Sequence, residues 1–204
     1  MNQMENKIYL VSSQERFLNS DKFQVITVEE SLRLLEPLRI VGLDTETSGL
    51  NPHNDKLLSV QLGCYDFQVV IDCTTIDILL YKEYLESDRL FLGWNLKFDL
   101  KFLLHKGIIC TNCDDGLLAE KLMWNGYPSG MHSMSLKTAG YEYCNIELDK
   151  SIRGKIIWAG LQEDVIEYAA NDVKYLEQIY RGQIERLKDK ELLKKCFKEK
   201  KKIS

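Results

Sequence analysis

The stretch VGLDTETSGL, residues 41–50, places two carboxylates at the end of an apolar strand. Residues 39–45 are predicted to form a buried strand, because apolar side chains precede Asp44 and a turn-like segment follows from Gly49. Residues two apart on a strand face the same side of the sheet, so Asp44 and Glu46 can converge. Carboxylates at the end of a buried strand are costly unless something positive compensates them. The stretch therefore indicates a cation site.

The spacing of Asp44 and Glu46 is informative only because of its strand context. The same D-x-E pattern recurs at Asp189 and Glu191, within a Lys-rich segment that is predicted to be helical. Residues two apart on a helix point to nearly opposite faces, so a solvated surface explains the second pair.

Asn95 and Asp99 form a further candidate pair, because they open a predicted helix over residues 95–106 directly after the apolar strand of residues 90–94. A spacing of four on a helix places both side chains on one face. A capping asparagine followed by a chance acid explains this spacing equally well. The other N-x-x-x-D pairs lie in turn-like or irregular segments, where Asn and Asp are simply good loop residues: Asn51/Asp55 and Asn145/Asp149.

Tyr168 and Asp172 share a face of the predicted helix over residues 163–186, again with a spacing of four. Asp172 lies beside the apolar stripe that faces the core. The other Y-x-x-x-D pair, Tyr84 and Asp88, lies near a helix end and is typical of a surface.

Four acids and one tyrosine at these positions indicate one shared site: Asp44, Glu46, Asp99, Asp172 and Tyr168. Hard divalent cations such as Mg²⁺ prefer oxygen ligands, and they bind through few carboxylates together with substrate phosphates. Two such ions about 4 Å apart would hold both the attacking and the leaving oxygen of a phosphoryl displacement. The arrangement fits that chemistry better than it fits a general acid/base pair.

Length and composition predict one domain of the α/β class. The 204 residues suit one sizeable domain, and 45% hydrophobic with 28% charged residues is ordinary for a globular protein. Strands come first and helices interleave later, which predicts a mixed sheet covered by helices. The predicted strands cover residues 7–11, 24–27, 39–45, 57–65, 67–73 and 90–94; beyond those above, the predicted helices follow a capping box at 27–30 and cover 77–86, 115–124 and 133–140.

No apolar run in the sequence reaches the length of a membrane span, and the polar N-terminus does not resemble a signal peptide. We therefore expect a cytoplasmic protein with no membrane partner. The net charge is −4, but residues 186–202 carry nine Lys/Arg and three Asp/Glu, a local charge of +6. We expect residues 1–185 to form the domain and residues 186–204 a basic C-terminal helix or tail. Such a tail suits a polyanion, although a solvated amphipathic helix is the simpler explanation.

Cys110 and Cys113 form a C-x-x-C pattern, and His105 and His132 lie nearby in the sequence. A zinc site would require a second pair at ligand spacing, which the sequence lacks. The length and the missing signal segment also argue against a disulfide framework, so we expect reduced cysteines.

Three segments resemble the exonuclease motifs of the DnaQ-like superfamily of 3′–5′ exonucleases, which has a ribonuclease H-like fold: DTET (44–47), NLKFD (95–99) and YAAND (168–172). They occur in the order and at the separations that the family uses, and the resemblance runs from Arg39 to Tyr180. The tyrosine (DEDDy) branch carries Tyr four residues before the last Asp, as Tyr168 does. The histidine branch carries His five residues before it, where this chain has Glu167.

Within the tyrosine branch, two segments most resemble the proofreading domain of family A (polymerase I-type) DNA polymerases: GWNLKFDLKFLLHKGI (93–108) and CDDGLLAE (113–120). The segment LDKSIRGKIIW (148–158) is instead similar to ribonuclease D and to exonucleases associated with RecQ helicases. The resemblance implies a 3′–5′ exonuclease that releases 5′-mononucleotides from single-stranded or frayed DNA, in proofreading or DNA repair. An exoribonuclease similar to ribonuclease D is the alternative.

The resemblance also implies a role for each acid. Asp44, Glu46 and Asp172 would hold the ion that activates water, and Asp44 would bridge to a second ion. Asp99 would hold that second ion through water. The implied ions are Mg²⁺ or Mn²⁺, and Tyr168 would orient the attacking water.

The remaining implied roles concern the substrate. Thr47 and Leu50 match positions near its 3′ end, with Leu50 as an apolar wedge against the terminal base, and Asn95 would position motif or substrate by hydrogen bonding. Ile146 or Leu148 would form the opposite wedge. The implied partners are 3′ ends of single-stranded DNA, with RNA as the alternative, and a DNA polymerase as a further domain or separate protein. A non-catalytic nucleic-acid-binding module would be favoured by loss of a carboxylate, and none is lost.

Overall fold

The computed structural model describes residues 7–128, 130–148 and 161–189, and one seven-stranded sheet runs through them. The strand order is β2-β1-β5-β4-β3-β6-β7. β4 is antiparallel to its neighbours β3 and β5, and the other pairings are parallel. The strands are β1 (Lys7–Val11), β2 (Gln24–Val25), β3 (Ile40–Thr47), β4 (Leu57–Gly63), β5 (Phe67–Asp72), β6 (Leu90–Gly93) and β7 (Cys113–Asp115).

Helices cover both faces of the sheet, so the predicted α/β class with a mixed sheet is confirmed. Side chains of α1, α2 and α3 pack on one face, which we call the apolar face, and α6 packs on the other, which we call the α6 face. The helices are α1 (Val28–Leu35), α2 (Lys82–Leu85), α3 (Lys97–His105), α4 (Gly116–Met123), α5 (Leu136–Cys144), α6 (Glu163–Lys174) and α7 (Leu176–Asp189).

The alternation along β3 separates these two faces. Val41 and Leu43 are fully buried in the main hydrophobic core on the apolar face. Burial of each such side chain stabilises the fold by roughly 1.5–3 kcal/mol. Gly42 and Asp44 point the opposite way, toward α6. One strand thus contributes to the core with one set of side chains and to a polar site with the other.

Local sequence signals account for most of the element boundaries. The capping box is confirmed, because Thr27 Oγ1 accepts from the Glu30 backbone N–H at 3.2 Å and Glu30 Oε2 accepts from the Thr27 N–H at 2.8 Å. The hairpin of β4 and β5 is confirmed, as is the strand at Lys7–Val11. β3 extends two residues further than predicted and so includes Glu46.

Three predictions differ from the structure. The helix predicted over residues 163–186 is two helices, which are separated at Tyr175. No Gly or Pro near Tyr175 indicates this interruption in the sequence. The helix over residues 77–86 begins as a 3₁₀ turn at Ile78–Tyr81. The sequence analysis missed β7, which forms by parallel pairing with β6 although two of its three residues are Asp, a poor strand former.

Some predictions lie outside the described residues. They include the segment over 149–158 and the basic tail beyond residue 189, while residues 186–189 continue α7. Within the described ranges, no helix is both long and apolar enough to cross a membrane.

Candidate active site

Asp44, Glu46 and Asp172 converge at the end of β3. Asp44 and Glu46 both point to the α6 face, and Asp172 on α6 lies at the same place. Each of the three offers a carboxylate oxygen, and these oxygens all lie within 4.8 Å of one another. All three side chains are half-buried. Three carboxylates at this separation repel one another unless a cation lies among them.

Gly42 allows α6 to approach closely enough for this convergence. A Cβ at position 42 would lie 2.5 Å from the carbonyl oxygen of Val173, closer than real Cβ contacts allow. Val173 directly follows Asp172, so the missing side chain of Gly42 sets how near Asp172 comes to β3. A glycine inside a strand is a general signal for close approach of another backbone, and this signal could have identified Gly42 from the sequence.

Asp99 reaches the site from the apolar face of the sheet. Its side chain is 3% exposed, and its Oδ1 accepts hydrogen bonds from the Thr45 backbone N–H at 2.9 Å and the Thr45 hydroxyl at 2.6 Å. Burial raises the pKa of Asp99 to about 7, an effect that the bonds from Thr45 oppose and the nearby Asp115 carboxylate reinforces. Asp99 lines the same cavity as the other acids, but it is not among the three acids whose oxygens converge.

Asn95 is not on the helix that carries Asp99, so that part of the prediction is wrong. The helix begins at Lys97 with Leu96 as its N-cap, and Asn95 precedes it in a left-handed conformation (φ 62°). The Asn95 N–H donates to Asp115 Oδ1 at 2.9 Å, and the same oxygen caps α4 by accepting from the Leu117 N–H at 2.9 Å. Asn tolerates the left-handed region better than most residues, which explains its place at this tight turn. Its exposed side chain still lines the site cavity.

A cavity of about 640 Å³ contains the predicted site residues. Its polar part is formed by the four carboxylates, and Tyr168, which is buried, lies beside them on α6. Its apolar part is formed by side chains from four segments: Leu50, Trp94, Phe98, Leu117, Met134 and Leu136. A volume of this size accommodates a small organic ligand. The cavity therefore places acids on one side of a ligand and apolar surface on the other.

Thr47 ends β3, and its hydroxyl donates to Gly49 O at 2.6 Å. Leu50 belongs to the loop that follows, residues 48–56, whose hydrogen bonds are largely internal. The Ser48 N–H donates to Lys56 O and the Lys56 N–H donates to Ser48 Oγ, at 2.9 and 2.8 Å. The Asn51 N–H donates to the Asp55 carboxylate at 2.8 Å, so this pair is the turn that the sequence indicates. Leu50 stands at the cavity mouth with 84% of its surface exposed.

A second cavity of about 330 Å³ adjoins the first along α6, and both are lined by Tyr168 and Asp172. Ile146 and Leu148, the residues predicted as an opposite wedge, line the second cavity and not the first. Glu147, Asp164 and Glu167 give this cavity an acidic rim.

The donor set fits a hard divalent cation. Carboxylate oxygens are the ligands that Mg²⁺ and Mn²⁺ prefer. Within the described residues, the three converging acids form the only group of metal-ligating side chains. Burial raises the pKa of Cys110 and of Cys113 to about 12.

Sequence reasoning missed the residues that support the acids. Thr45 had no signal beyond its position between Asp44 and Glu46. Asp115 was noted only as part of a similar segment, although its place before an apolar helical run is typical of an N-cap. Met134 and Ser135 reach the cavity only through tertiary packing.

The chain is similar to known proteins over most of its length. The sequence model of the 3′–5′ exonuclease family matches residues 23–186. DNA polymerase I of Aquifex aeolicus is 33% identical over 163 residues, which cover 78% of this chain and 26% of the polymerase. The chain thus spans about a quarter of that relative's length.

Solved structures share the fold at low sequence identity. The catalytic core of RRP6 from Trypanosoma brucei is 16% identical with a TM-score of 0.76, over 100% of this chain and 53% of that one. Escherichia coli RNase D, an exoribonuclease involved in structured RNA processing, is 19% identical with a TM-score of 0.73, over 95% and 48%. Brucella melitensis NrnC with bound Mg²⁺ is 23% identical with a TM-score of 0.66, over 94% and 86%.

Proposed function

This chain belongs to the 3′–5′ exonuclease family, and we propose that it removes mononucleotides from the 3′ ends of single-stranded or frayed DNA with the help of two divalent metal ions. The observation that carries the proposal is the convergence of Asp44, Glu46 and Asp172 within 4.8 Å at the floor of a ligand-sized cavity.

The carboxylates would hold the ions. Asp44, Glu46 and Asp172 fit one ion, and Asp44 together with Asp99 would hold the second. Bound Mg²⁺ or Mn²⁺ supplies a low-pKa water and stabilises the charge that develops on the phosphate. Because Thr45 fixes Asp99 by two hydrogen bonds, this carboxylate keeps its orientation when a cation and a phosphate enter.

Tyr168 would orient the attacking water. Its side chain is buried, and it lines both cavities together with Asp172. A fixed hydroxyl aligns the water in line with the leaving oxygen, which lowers the entropic part of the barrier. The hydroxyl need not exchange its proton for this role.

The apolar part of the cavity would hold the terminal nucleotide. Leu50 and Phe98 offer surfaces against which any base can pack, and this makes binding tolerant of sequence. Thr47 and Asn95 line the same cavity and would position the sugar or phosphate by hydrogen bonding. Ile146 and Leu148 are placed to contact a preceding nucleotide in the second cavity.

DNA is the proposed substrate because the 33% identical relative is a DNA polymerase. The biological setting that follows is proofreading or repair in the cytoplasm, beside a DNA polymerase as a linked domain or separate partner. The basic segment over residues 186–204 would add salt-sensitive affinity for the phosphate backbone. RNA is the second candidate, because RNase D, an exoribonuclease involved in structured RNA processing, has a similar fold.

Digestion of 5′-labelled DNA and RNA oligomers of one sequence, side by side, tests the proposal. We expect a ladder that shortens from the 3′ end in Mg²⁺ or Mn²⁺, no cleavage in EDTA, and faster loss of DNA. Faster loss of RNA would transfer the substrate to the ribonuclease D type. Cleavage that persists in EDTA would overturn the metal-dependent mechanism.

A further inference from the structure

His132 lies in the segment that precedes α5, where its ring contacts two carboxylates and one aromatic ring. Nε2 lies 3.5 Å from Glu120 Oε2 on α4, and Nδ1 lies 3.3 Å from Glu142 Oε1 on α5. The ring stacks on Trp124, with centroids 4.1 Å apart and planes inclined by 10°. The side chain of His132 is 9% exposed. We call these four residues the His132 cluster.

The His132 cluster places a ring that can carry a positive charge between two acids. Each ring nitrogen lies within 3.5 Å of a carboxylate oxygen, and among the described residues the buried Glu120 Oε2 has no hydrogen-bond partner. Glu120 is 1% exposed, and its Oε1 already accepts from the Tyr143 hydroxyl and from Gln183 Nε2, both at 2.8 Å. Within the described residues, His132 is the one cationic partner of Glu120.

The acids of the cluster outnumber its permanent cations. Arg186 of α7 pairs with Glu142 Oε2 at 2.7 Å, so two carboxylates face one permanent cation. Because an uncompensated buried charge is costly, a ring that can carry a positive charge suits the place between the two acids.

The segment that carries His132 continues into the active-site cavity. Met134 and Ser135 line that cavity two and three residues later. The Met134 carbonyl accepts from Trp94 Nε1–H at 3.2 Å, and Ser135 caps α5 by accepting from the Thr138 N–H at 3.1 Å. Residues 130–135 are thus held by the site on one side and by the His132 cluster on the other.

We propose that His132 is a positioning residue: its ring joins α4 to α5 and holds residues 130–135 against the cavity, so that Met134 and Ser135 contact the nucleic-acid substrate. The contact with substrate rests on the proposed exonuclease function, whereas the fixing of the segment does not. His132 does not touch the reacting atoms, so its loss should weaken substrate binding more than turnover.

The variant His132→Gln tests the fixing of the segment without reference to activity. We expect hydrogen–deuterium exchange to show protection factors for residues 130–135 that are at least about tenfold lower in this variant than in wild type, because the contacts of the ring with the two acids are lost. The protection factors of the sheet should be unchanged. His132→Arg keeps a planar cation that can pair with carboxylates and stack on Trp124, and it should retain most of the protection. His105→Gln is the matched control, because His105 is exposed and its ring packs against that of His53, which is also exposed.

Steady-state kinetics on a single-stranded oligonucleotide test whether the segment contacts the substrate. We expect His132→Gln to raise KM by about tenfold with kcat within about twofold, and His132→Arg to restore KM. Unchanged protection in His132→Gln would overturn the proposal even if the protein is an active exonuclease. Lost protection without any nuclease activity in wild type would instead overturn the exonuclease proposal and leave the positioning of the segment standing.

Discussion

The two faces of the sheet differ in what they bury. On the apolar face, Val41 and Leu43 pack with side chains of α1, α2 and α3 in the main core. On the α6 face, the same strand presents Gly42, Asp44 and Glu46, and the strands beside it bury Ser59, Gln61 and Asp72. Apolar burial stabilises both faces, but on the α6 face the end of β3 also gathers carboxylates, at a cost that a cation and a substrate can offset. Mutations of neighbouring residues on β3 should therefore differ in effect: some should lower activity and others stability.

The largest contrast should come from Asp44 and its neighbour Leu43. Asp44→Ala should lower nuclease activity by about a thousandfold or more, because Asp44 is the carboxylate that we propose to hold both ions. Its free energy of unfolding should stay within about 1 kcal/mol of wild type, since one of three mutually repelling carboxylates is lost. Leu43→Ala should cost about 2–5 kcal/mol of stability and keep turnover per folded molecule. Initial rates and urea titrations measure both, and normal activity in Asp44→Ala would refute its assignment as a metal ligand.

Gly42→Ala should lower both nuclease activity and the free energy of unfolding. The added methyl would meet the Val173 carbonyl oxygen at 2.5 Å and displace α6, moving Asp172 away from Asp44 and Glu46. We expect about a hundredfold loss of kcat and a stability loss of about 1–3 kcal/mol. Gly63→Ala is the matched control, because Gly63 pairs with Gly42 in register but its methyl would meet the Phe67 carbonyl oxygen of β5 instead. Equal losses of activity in the two variants would argue against the special role of the α6 contact.

Tyr168→Phe should have a smaller effect. The phenyl ring keeps the packing in the core beneath α6, and only the hydroxyl that orients water is lost. We expect kcat to fall by about tenfold, as for one lost hydrogen bond in the transition state, with Mn²⁺ affinity unchanged by calorimetry. A wild-type rate would remove Tyr168 from the mechanism.

Asp99→Asn should reveal the cost of the buried acid in the absence of metal. Burial raises the pKa of Asp99 to about 7, so the folded protein binds a proton more readily than the unfolded chain does. Stability that depends on this proton is present at low pH and is lost as pH rises toward 7 and above. In EDTA, the asparagine variant should therefore melt higher than wild type at pH 8, by roughly 5 °C, and with little difference at pH 4. A difference that does not change with pH would show that Asp99 stays ionised.

The chemistry-bearing residues could be predicted because strands and helices have fixed periodicities. A spacing of two on β3 and of four on α6 was enough to place Asp44 with Glu46, and Tyr168 with Asp172, on common faces. That these residues lie close together was predicted from the three motifs taken together, because no single spacing shows which elements are neighbours in the fold. The family resemblance supplied that information.

The supporting geometry could not be predicted in the same way. Asn95 precedes its helix because its N–H is bound by Asp115, a residue twenty positions away. Thr45 holds Asp99 across 54 residues of sequence, and β7 exists only as the neighbour of β6. Each of these depends on which elements pack together, which local propensity does not encode.

The loop over residues 48–56 has a consequence for how such enzymes diversify. Its ends are tied to each other by Ser48 and Lys56, and its turn is closed by Asn51 and Asp55, while the acids belong to strand and helix. Leu50 can therefore be exchanged, or the turn lengthened, without moving the three converging carboxylates. If Leu50 contacts the substrate as we propose, discrimination between substrate ends can evolve, or be engineered, separately from the hydrolytic chemistry.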